Sequence, residues 1–168
     1  MIKLNLGCGD KILKGFVNVD IKKFPGVNIA ADLNKNLPFK DNYADYILCE
    51  HVIEHLEKPI DFLLELWRIS KPNAIIDIYA PHFSHFTSYA NLDHKRALSY
   101  FTFGEEWTNK EVYGKFKVKR NLNFNRINQR WMNLIFNPII NFSPLLYERF
   151  LCFLLPCSEI HFRLKVIK

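Results

Sequence analysis

Two groups of residues in this 168-residue chain have types and spacings that could do chemistry. The first is His51-Val52-Ile53-Glu54-His55. On a helix its two imidazoles would share one face with a carboxylate beside them, and together they could hold a metal ion. The second group is spread along the amino-terminal part: Gly7 and Gly9, then Asp20, then Asp32 with Leu33, then Glu50 and His51. Each falls just past a short apolar run. Ligands of open α/β sheets bind at the carboxyl ends of strands, so that placement matters. Glycines there let a ligand approach the backbone, Asp20 can accept both hydroxyls of a ribose, and Asp32 with Leu33 suits the edge and face of an adenine. A lone G-x-G says little. G-x-G followed by acids at two further strand ends is much more specific.

These residues need elements to position them. Ile2 to Leu6 reads as a short apolar strand and Phe16 to Ile21 as a β-branched one. The gap between them predicts a first crossover helix that is very short or replaced by a loop. Val27 to Ala31 reads as a third strand and Ala44 to Cys49 as a buried fourth. Pro59 suits a first helical turn, and Ile60, Leu63, Leu64 and Trp67 recur at helical spacing up to Ile69. Lys71-Pro72-Asn73 stops that helix before the strand Ala74 to Tyr79. Strands alternating with crossovers predict an open, mostly parallel sheet. Two-residue alternation returns at Phe116 to Phe124 and Phe162 to Val166, read as two antiparallel additions at the sheet edge. Between them lies an apolar, proline-broken region, Trp131 to Pro156, predicted to form two helices. In this frame the fourth strand ends at Cys49 and a new helix opens at Pro59. A long helix through His51 and His55 does not fit, so no metal site is assigned and Glu54 and His55 are read as closing the turn over the sheet.

The length predicts one domain with a real core, residues 1–168. Four cysteines without a CxxC pair fit a reduced, intracellular setting, and the amino terminus has no signal-peptide anatomy. The expectation is a cytoplasmic protein, with peripheral contact at the inner membrane face as an open alternative. That alternative rests on the basic stretch Lys110 to Arg130, with Arg126 and Arg130 at its end, followed directly by the apolar region. Such a segment, 110–157, can sit on an anionic surface. The preferred reading is a solvated strand and then helices buried on the domain or in a homodimer. Nucleic acid is not expected as a partner, because the chain shows no recognised RNA-binding module and no (D/N)-P-P-(Y/F) motif after the fourth strand.

With those residues in place, the chain resembles the class I S-adenosylmethionine-dependent methyltransferases, in particular the small type 11 group. The resemblance rests on LNLGCGD at 4–10, GFVNVDI at 15–21, the run from ADLNKNLPF to EHLEKP at 31–59, and ELWRISKPNAIIDIYAP at 65–81. It implies a Rossmann-like α/β fold: a mostly parallel seven-stranded sheet with an antiparallel last strand, a shortened first crossover helix, and a helical insertion at about 126–157 between the last two strands. Residues 1–80 would form the cofactor-binding half and 81–168 the substrate-side half. It further implies that Gly7, Cys8 and Gly9 lie against the methionine and ribose of S-adenosylmethionine. Asp20 with Ile21 would hold the ribose, Asp32 and Leu33 would contact adenine, and Glu50 and His51 would line the pocket near the sulfonium. S-adenosylhomocysteine would be the product. Asn5 stands where the family usually has an acid, so an amide replaces a carboxylate near the cofactor's amino group. The third loop glycine is missing at Lys11, and KPNA at 71–74 replaces KPGG, with Asn73 able to take the left-handed conformation.

The segment 81–96 after the fifth strand carries His82, His85, Asp93 and His94, the densest cluster of titratable groups. An imidazole there could take the proton from an oxygen or nitrogen being methylated, which makes His82, His85 and His94 the catalytic candidates, His82 first because it is nearest the strand end. Read as satisfied structural histidines, the same residues would belong to a lid. A metal set from His82, His85 and Asp93 has no diagnostic spacing. Cys8 reads as a small apolar filler. The functional expectation is methyl transfer to an O or N atom of a small molecule, sugar or lipid-linked glycan. The alternative is a non-catalytic methyltransferase-like binding or partner subunit, and a zinc-dependent hydrolase comes a distant third.

Overall fold

A computed structural model describes residues 1–104, 110–124 and 131–168. Strands β1 (Lys3–Leu6), β2 (Val17–Asp20), β3 (Ile29–Ala30) and β4 (Ala44–Glu50) precede helix α1 (Pro59–Ile69) and strand β5 (Ser70–Pro81). A short helix α2 (Thr87–Ala90), strand β6 (Phe116–Asn123), helix α3 (Met132–Phe142) and helical turn α4 (Pro144–Leu146) follow, and strand β7 (Glu159–Val166) closes the chain. The seven strands form one sheet in the order β3-β2-β1-β4-β5-β7-β6. β1 to β5 pair in parallel, and β7 runs antiparallel to both β5 and β6. Only the last strand is therefore reversed. It is not an edge addition as the alternation suggested; β7 lies inside the sheet and β6 forms the edge. Pairing β7 on both sides satisfies two rows of backbone groups, and its alternating sequence buries Ile160, Phe162, Leu164 and Val166 on one face.

The period-2 pattern has a direct structural counterpart. In register, Val19, Leu6, Cys49, Ile78 and Phe162 form one apolar row, and Leu4, Ile47, Ile76 and Leu164 another. These rows meet the buried face of α1, made by Phe62, Leu63, Leu66 and Ile69. The opposite face carries Asn18, Asn5, Leu48, Asp77, Arg163 and Lys119 in one row, with Lys3, Tyr46, Lys165 and Lys117 in the next. Residues 7–16 and 21–28, which link β1 to β2 and β2 to β3, form turns and no helix. The face those crossovers would cover stays polar, and Lys117, Lys119, Arg163 and Lys165 on it are exposed. Asp77 anchors this face. Burial alone would raise its pKa, but hydrogen bonds from Arg163, His161 and Tyr46 outweigh that and hold the carboxyl well below the usual range. Asn73 has φ +64, the left-handed conformation expected for it.

The apolar region does form helix, but it is not buried on the domain. Ile140 and Tyr147 anchor it, the latter in a π-helical turn at Tyr147–Leu151. Leu134 is 83% and Phe142 91% exposed, and Ile135, Ile139, Leu145, Leu146, Phe150, Phe153 and Leu154 are exposed with them. Asn141 and Asn137 tie it to the sheet edge, through Leu122 and the Phe124 amide. No helix among the described residues is long and apolar enough to cross a membrane. Arg126 and Arg130, and the 126–130 start of the expected insertion, lie outside the described residues.

Candidate functional site

β1 and β4 lie side by side, but the chain leaves β1 toward β2 on one side and leaves β4 toward β5 on the other. Their carboxyl ends thus flank the sheet's switch point, the usual ligand position of open α/β sheets. A cleft of about 440 Å³ opens there, lined by Asn5, Gly7, Cys8, Asp10, Lys11, Glu50 and His51. That size suits a small-molecule site.

The loop after β1 is held without a helix. The Gly7 and Cys8 amides donate to Val19 O at 2.8 and 3.0 Å. The Gly9 amide donates to Asp20 Oδ2 at 2.8 Å, while Asp20 Oδ1 accepts from the Lys22 amide at 3.0 Å. Asn5 Nδ2 donates to Lys11 O at 2.9 Å and to Asn18 Oδ1 at 3.0 Å. A carboxylate could make neither of the last two bonds, which explains an amide at Asn5. Gly7 has φ +68, and a Cβ there would stand 2.4 Å from Val52 Cγ2. Gly9 has φ +53, and a Cβ there would meet open space. Gly7 therefore serves packing against the turn after β4, whereas Gly9 leaves room for a ligand.

Of the expected cofactor residues, the structure brings Asn5, Gly7, Cys8, Glu50 and His51 into the cleft wall. Asp20, Ile21, Asp32 and Leu33 stand at the neighbouring strand ends, joined through the Ala31 amide to Asp20 O at 2.9 Å. Ile21 is exposed and Leu33 packs toward Gly7. Asp32 is bonded by the Asn34 amide, which with Lys35 overcomes desolvation and lowers its pKa. Asp10 and Lys11 also line the cleft, and Lys11 forms an ion pair with Glu50 across it. Cys8 is buried, and burial followed by the Asp20 charge pushes its thiol pKa up, as a filler's would be.

His51 sits at φ +53 between two acids, with Nε2 3.3 Å from Glu159 Oε1 and Nδ1 3.2 Å from Glu54 Oε1. Hydrogen bonds to Glu159 and then Glu54 outweigh burial and raise its pKa to about 9. At neutral pH it is an imidazolium and a donor. Residues 51–55 form a turn rather than a helix, so His51 and His55 do not share a ligand position. Glu159 escaped the sequence reading because only the antiparallel pairing of β7 brings it here.

The histidine segment divides. His82 is fully buried. Its Nδ1 accepts from the Ser84 amide at 3.1 Å, so Nε2 carries the proton and donates to Glu148 Oε1 at 3.1 Å. Glu148 also accepts from Ser99 Oγ and the Tyr100 amide, both at 2.6 Å; these bonds overcome burial and lower its pKa. His82 is thus a packing centre that ties the insertion to β5, and its expected role as first catalytic candidate is corrected by that burial. His85 Nδ1 accepts from the Thr87 amide at 3.4 Å and contacts Thr87 Oγ1 at 2.8 Å, while burial and then His82 lower its pKa. Its neutral ring presents an N–H. His94 Nδ1 donates to Ser88 O at 3.2 Å, which leaves Nε2 with a free lone pair. Of the three candidates, His94 alone offers a base.

Residues 11–78 match the sequence profile of the family described as "Methyltransferase domain". A search of curated proteins by sequence returns no match. Among solved structures, an S-adenosylmethionine-dependent methyltransferase from Archaeoglobus fulgidus is 20% identical, with 97% of this chain and 85% of that one covered and a TM-score of 0.66. A chain from a Haloferax volcanii complex containing the Trm112 methyltransferase activator is 15% identical, covering 99% and 83%, with a TM-score of 0.65. A Haemonchus contortus phosphoethanolamine N-methyltransferase, solved with phosphomonomethylethanolamine and S-adenosylhomocysteine, is 14% identical over 99% of this chain and 48% of that one, with a TM-score of 0.61. At these identities the likeness is one of fold.

Proposed function

From residues 11–78, which match the methyltransferase-domain family, and a seven-stranded sheet in which only the last strand is reversed, we propose an S-adenosylmethionine-dependent methyltransferase acting on an O or N atom. The observation that carries this reading is the cleft at the β1/β4 switch point, with Gly9 opening onto free space. The bound cofactor would supply an electrophilic methyl group. The chain's own residues bind and orient. Each Asp20 oxygen accepts one backbone amide and keeps a further lone-pair site for a ribose hydroxyl. Leu33 and exposed Ile21 offer apolar surface to an adenine, with Asp32 at its edge. Asn5 spends its amide hydrogens on the loop, so its carbonyl oxygen is the group left for an ammonium. Positioning in the cleft carries most of the rate.

The acceptor class we propose is a small molecule, sugar or lipid-linked glycan, in the cytoplasm at the inner membrane face. The exposed array from Leu134 to Leu154 favours membrane contact over burial. Co-sedimentation with phosphatidylglycerol vesicles that Phe142→Asp weakens supports this. A stable homodimer in light scattering, with no vesicle binding, assigns the array to a second copy instead. A non-catalytic partner subunit is the second reading, favoured by the Lys11–Glu50 pair across the cleft and by the cationic state of His51. Calorimetric titration tests the main proposal. S-adenosylhomocysteine should bind the wild type and bind at least tenfold more weakly to Asp20→Ala. No binding of either nucleoside at millimolar concentration refutes it, and binding without turnover on any offered acceptor class favours the partner subunit.

A further inference from the structure

The turn after β4 and the segment after α2 meet in a cluster that neither the cleft nor the packing explains. Glu54, His55 and His94 each bring one ligand atom within 4.8 Å of the other two. Glu54 is fully buried. Its Oε1 accepts from His51, but its Oε2 is buried with no hydrogen-bond partner among the described residues. A buried carboxylate oxygen left unmatched costs free energy, and native structures rarely keep one without a reason.

Both histidines are set as metal ligands are set. His55 Nδ1 faces Asp93 O at 3.3 Å and His94 Nδ1 faces Ser88 O at 3.2 Å. A ring nitrogen facing a carbonyl must carry the proton, so Nε2 holds the lone pair on both rings. This backbone-carbonyl support is the usual second contact of a metal-bound imidazole. The rings meet edge to face at 4.6 Å between centroids. Among the described residues no ion pair joins either ring to Glu54. The separations are too long for direct hydrogen bonds but stay within 4.8 Å, and rotation of the partly exposed rings would close them toward the roughly 3.4 Å edge of a zinc-sized tetrahedron.

The scaffold beneath the cluster is cross-linked. The Lys95 amide donates to Glu54 O at 2.8 Å, and Arg96 Nη1 donates to Ile53 O at 2.8 Å and also to Leu56 O. An ion pair also joins Lys95 to Glu57. Two loops some forty residues apart in sequence are thus clamped at the positions that carry the three side chains.

We propose that Glu54 Oε2, His55 Nε2 and His94 Nε2 form a site for a first-row divalent cation of the zinc class. Two imidazoles and one carboxylate suit zinc, cobalt and nickel over magnesium and calcium, which favour all-oxygen sets. Three protein ligands leave a coordination position open to water or to an oxygen donor. Glu54 then bridges this ion through its other oxygen to His51 in the cleft wall. The site does not depend on the methyltransferase reading, and its test uses no nucleoside.

The experiment is visible-absorption titration of untagged, chelator-dialysed full-length protein with Co²⁺, followed by competition with Zn²⁺. The site predicts saturable absorption at one equivalent that Zn²⁺ quenches, unchanged in His85→Gln. Glu54→Gln keeps the Oε1 acceptor for His51, and His94→Gln alters a partly exposed ring; each should weaken binding at least tenfold while leaving the far-ultraviolet circular dichroism unchanged. Absence of one-equivalent binding overturns the proposal. So does equal affinity in both variants, or a loss in His85→Gln as large as theirs. Should Glu54→Gln fail to fold, His94→Gln alone decides.

Discussion

Replacing Gly7 and Gly9 by alanine separates the two roles of the glycine loop. Both residues have positive φ, +68 and +53, so each alanine meets the left-handed penalty of about 1–2 kcal/mol, partly offset by a less flexible unfolded chain. Gly9→Ala meets nothing else, because its Cβ enters open space. At Gly7 the Cβ stands 2.4 Å from Val52 Cγ2, well inside the roughly 3.5–4.0 Å of a normal carbon contact. Val52 is buried in the core cluster, so relief requires overpacking, at about 1–3 kcal/mol. Gly7→Ala should therefore lose about 2–4 kcal/mol and Gly9→Ala about 1 kcal/mol. The assay is urea unfolding of the four proteins of a cycle: wild type, Gly7→Ala, Val52→Ala and the double variant. Removing the Val52 methyls should make Gly7→Ala cost only its backbone part, a coupling of about 1–3 kcal/mol. If the two substitutions add within ~0.5 kcal/mol, Val52 is not the reason for a glycine at this position.

Three further outcomes follow from the polar contacts. Asn5→Asp cannot donate to Lys11 O or Asn18 Oδ1 and places a charge at a buried site, so it should destabilise by about 2–4 kcal/mol in urea unfolding, whereas an acid designed for cofactor contact would leave stability unchanged. Asp77→Asn breaks the contacts to Arg163 and His161; with the Arg163 side chain half exposed, a loss of about 2–3 kcal/mol is expected at neutral pH. The folded Asp77 pKa is depressed, so its contribution is present above the unfolded value of about 3.9 and vanishes as pH falls below it; the difference between wild type and Asp77→Asn should shrink on acidification from pH 5 toward pH 2, and a constant difference would sink the argument.

The strands were legible because their faces differ. KLNL, VNVD and EIHFRLKV alternate apolar with polar residues, and the structure sorts those positions onto opposite faces of one sheet. Pro59 marked the helix start for reasons of backbone geometry that need no tertiary context, whereas the helix stops at Ile69 and Lys71-Pro72-Asn73 already belong to β5, with Asn73 left-handed inside it. The location of β7 was not legible, since nothing local distinguishes an inner antiparallel strand from an edge one. The state of His82 was hidden for a similar reason. Its partner Glu148 lies in the insertion, and only the folded chain shows that both ring nitrogens are spent. His51 was read as lining the pocket, but its acidic partner Glu159 comes from the far end of the chain and only the folded sheet brings it there.

The missing first helix bears on which ligand the cleft can take. Doubly wound sheets that bind dinucleotides set the pyrophosphate against the amino-terminal amides of that helix, whose dipole stabilises the charge. Here residues 7–16 form turns, and the amides of Gly7, Cys8 and Gly9 are spent on Val19 O and Asp20. A phosphate would find none of these three amides free and no helix dipole. A nucleoside without phosphates needs only the strand-end acids, an apolar face and room beside Gly9, all of which remain. The same truncation leaves the sheet's second face uncovered, and its polar rows around Asp77 make that face stable in water. The loss of the helix thus narrows the ligand class toward an adenine nucleoside and leaves the fold intact.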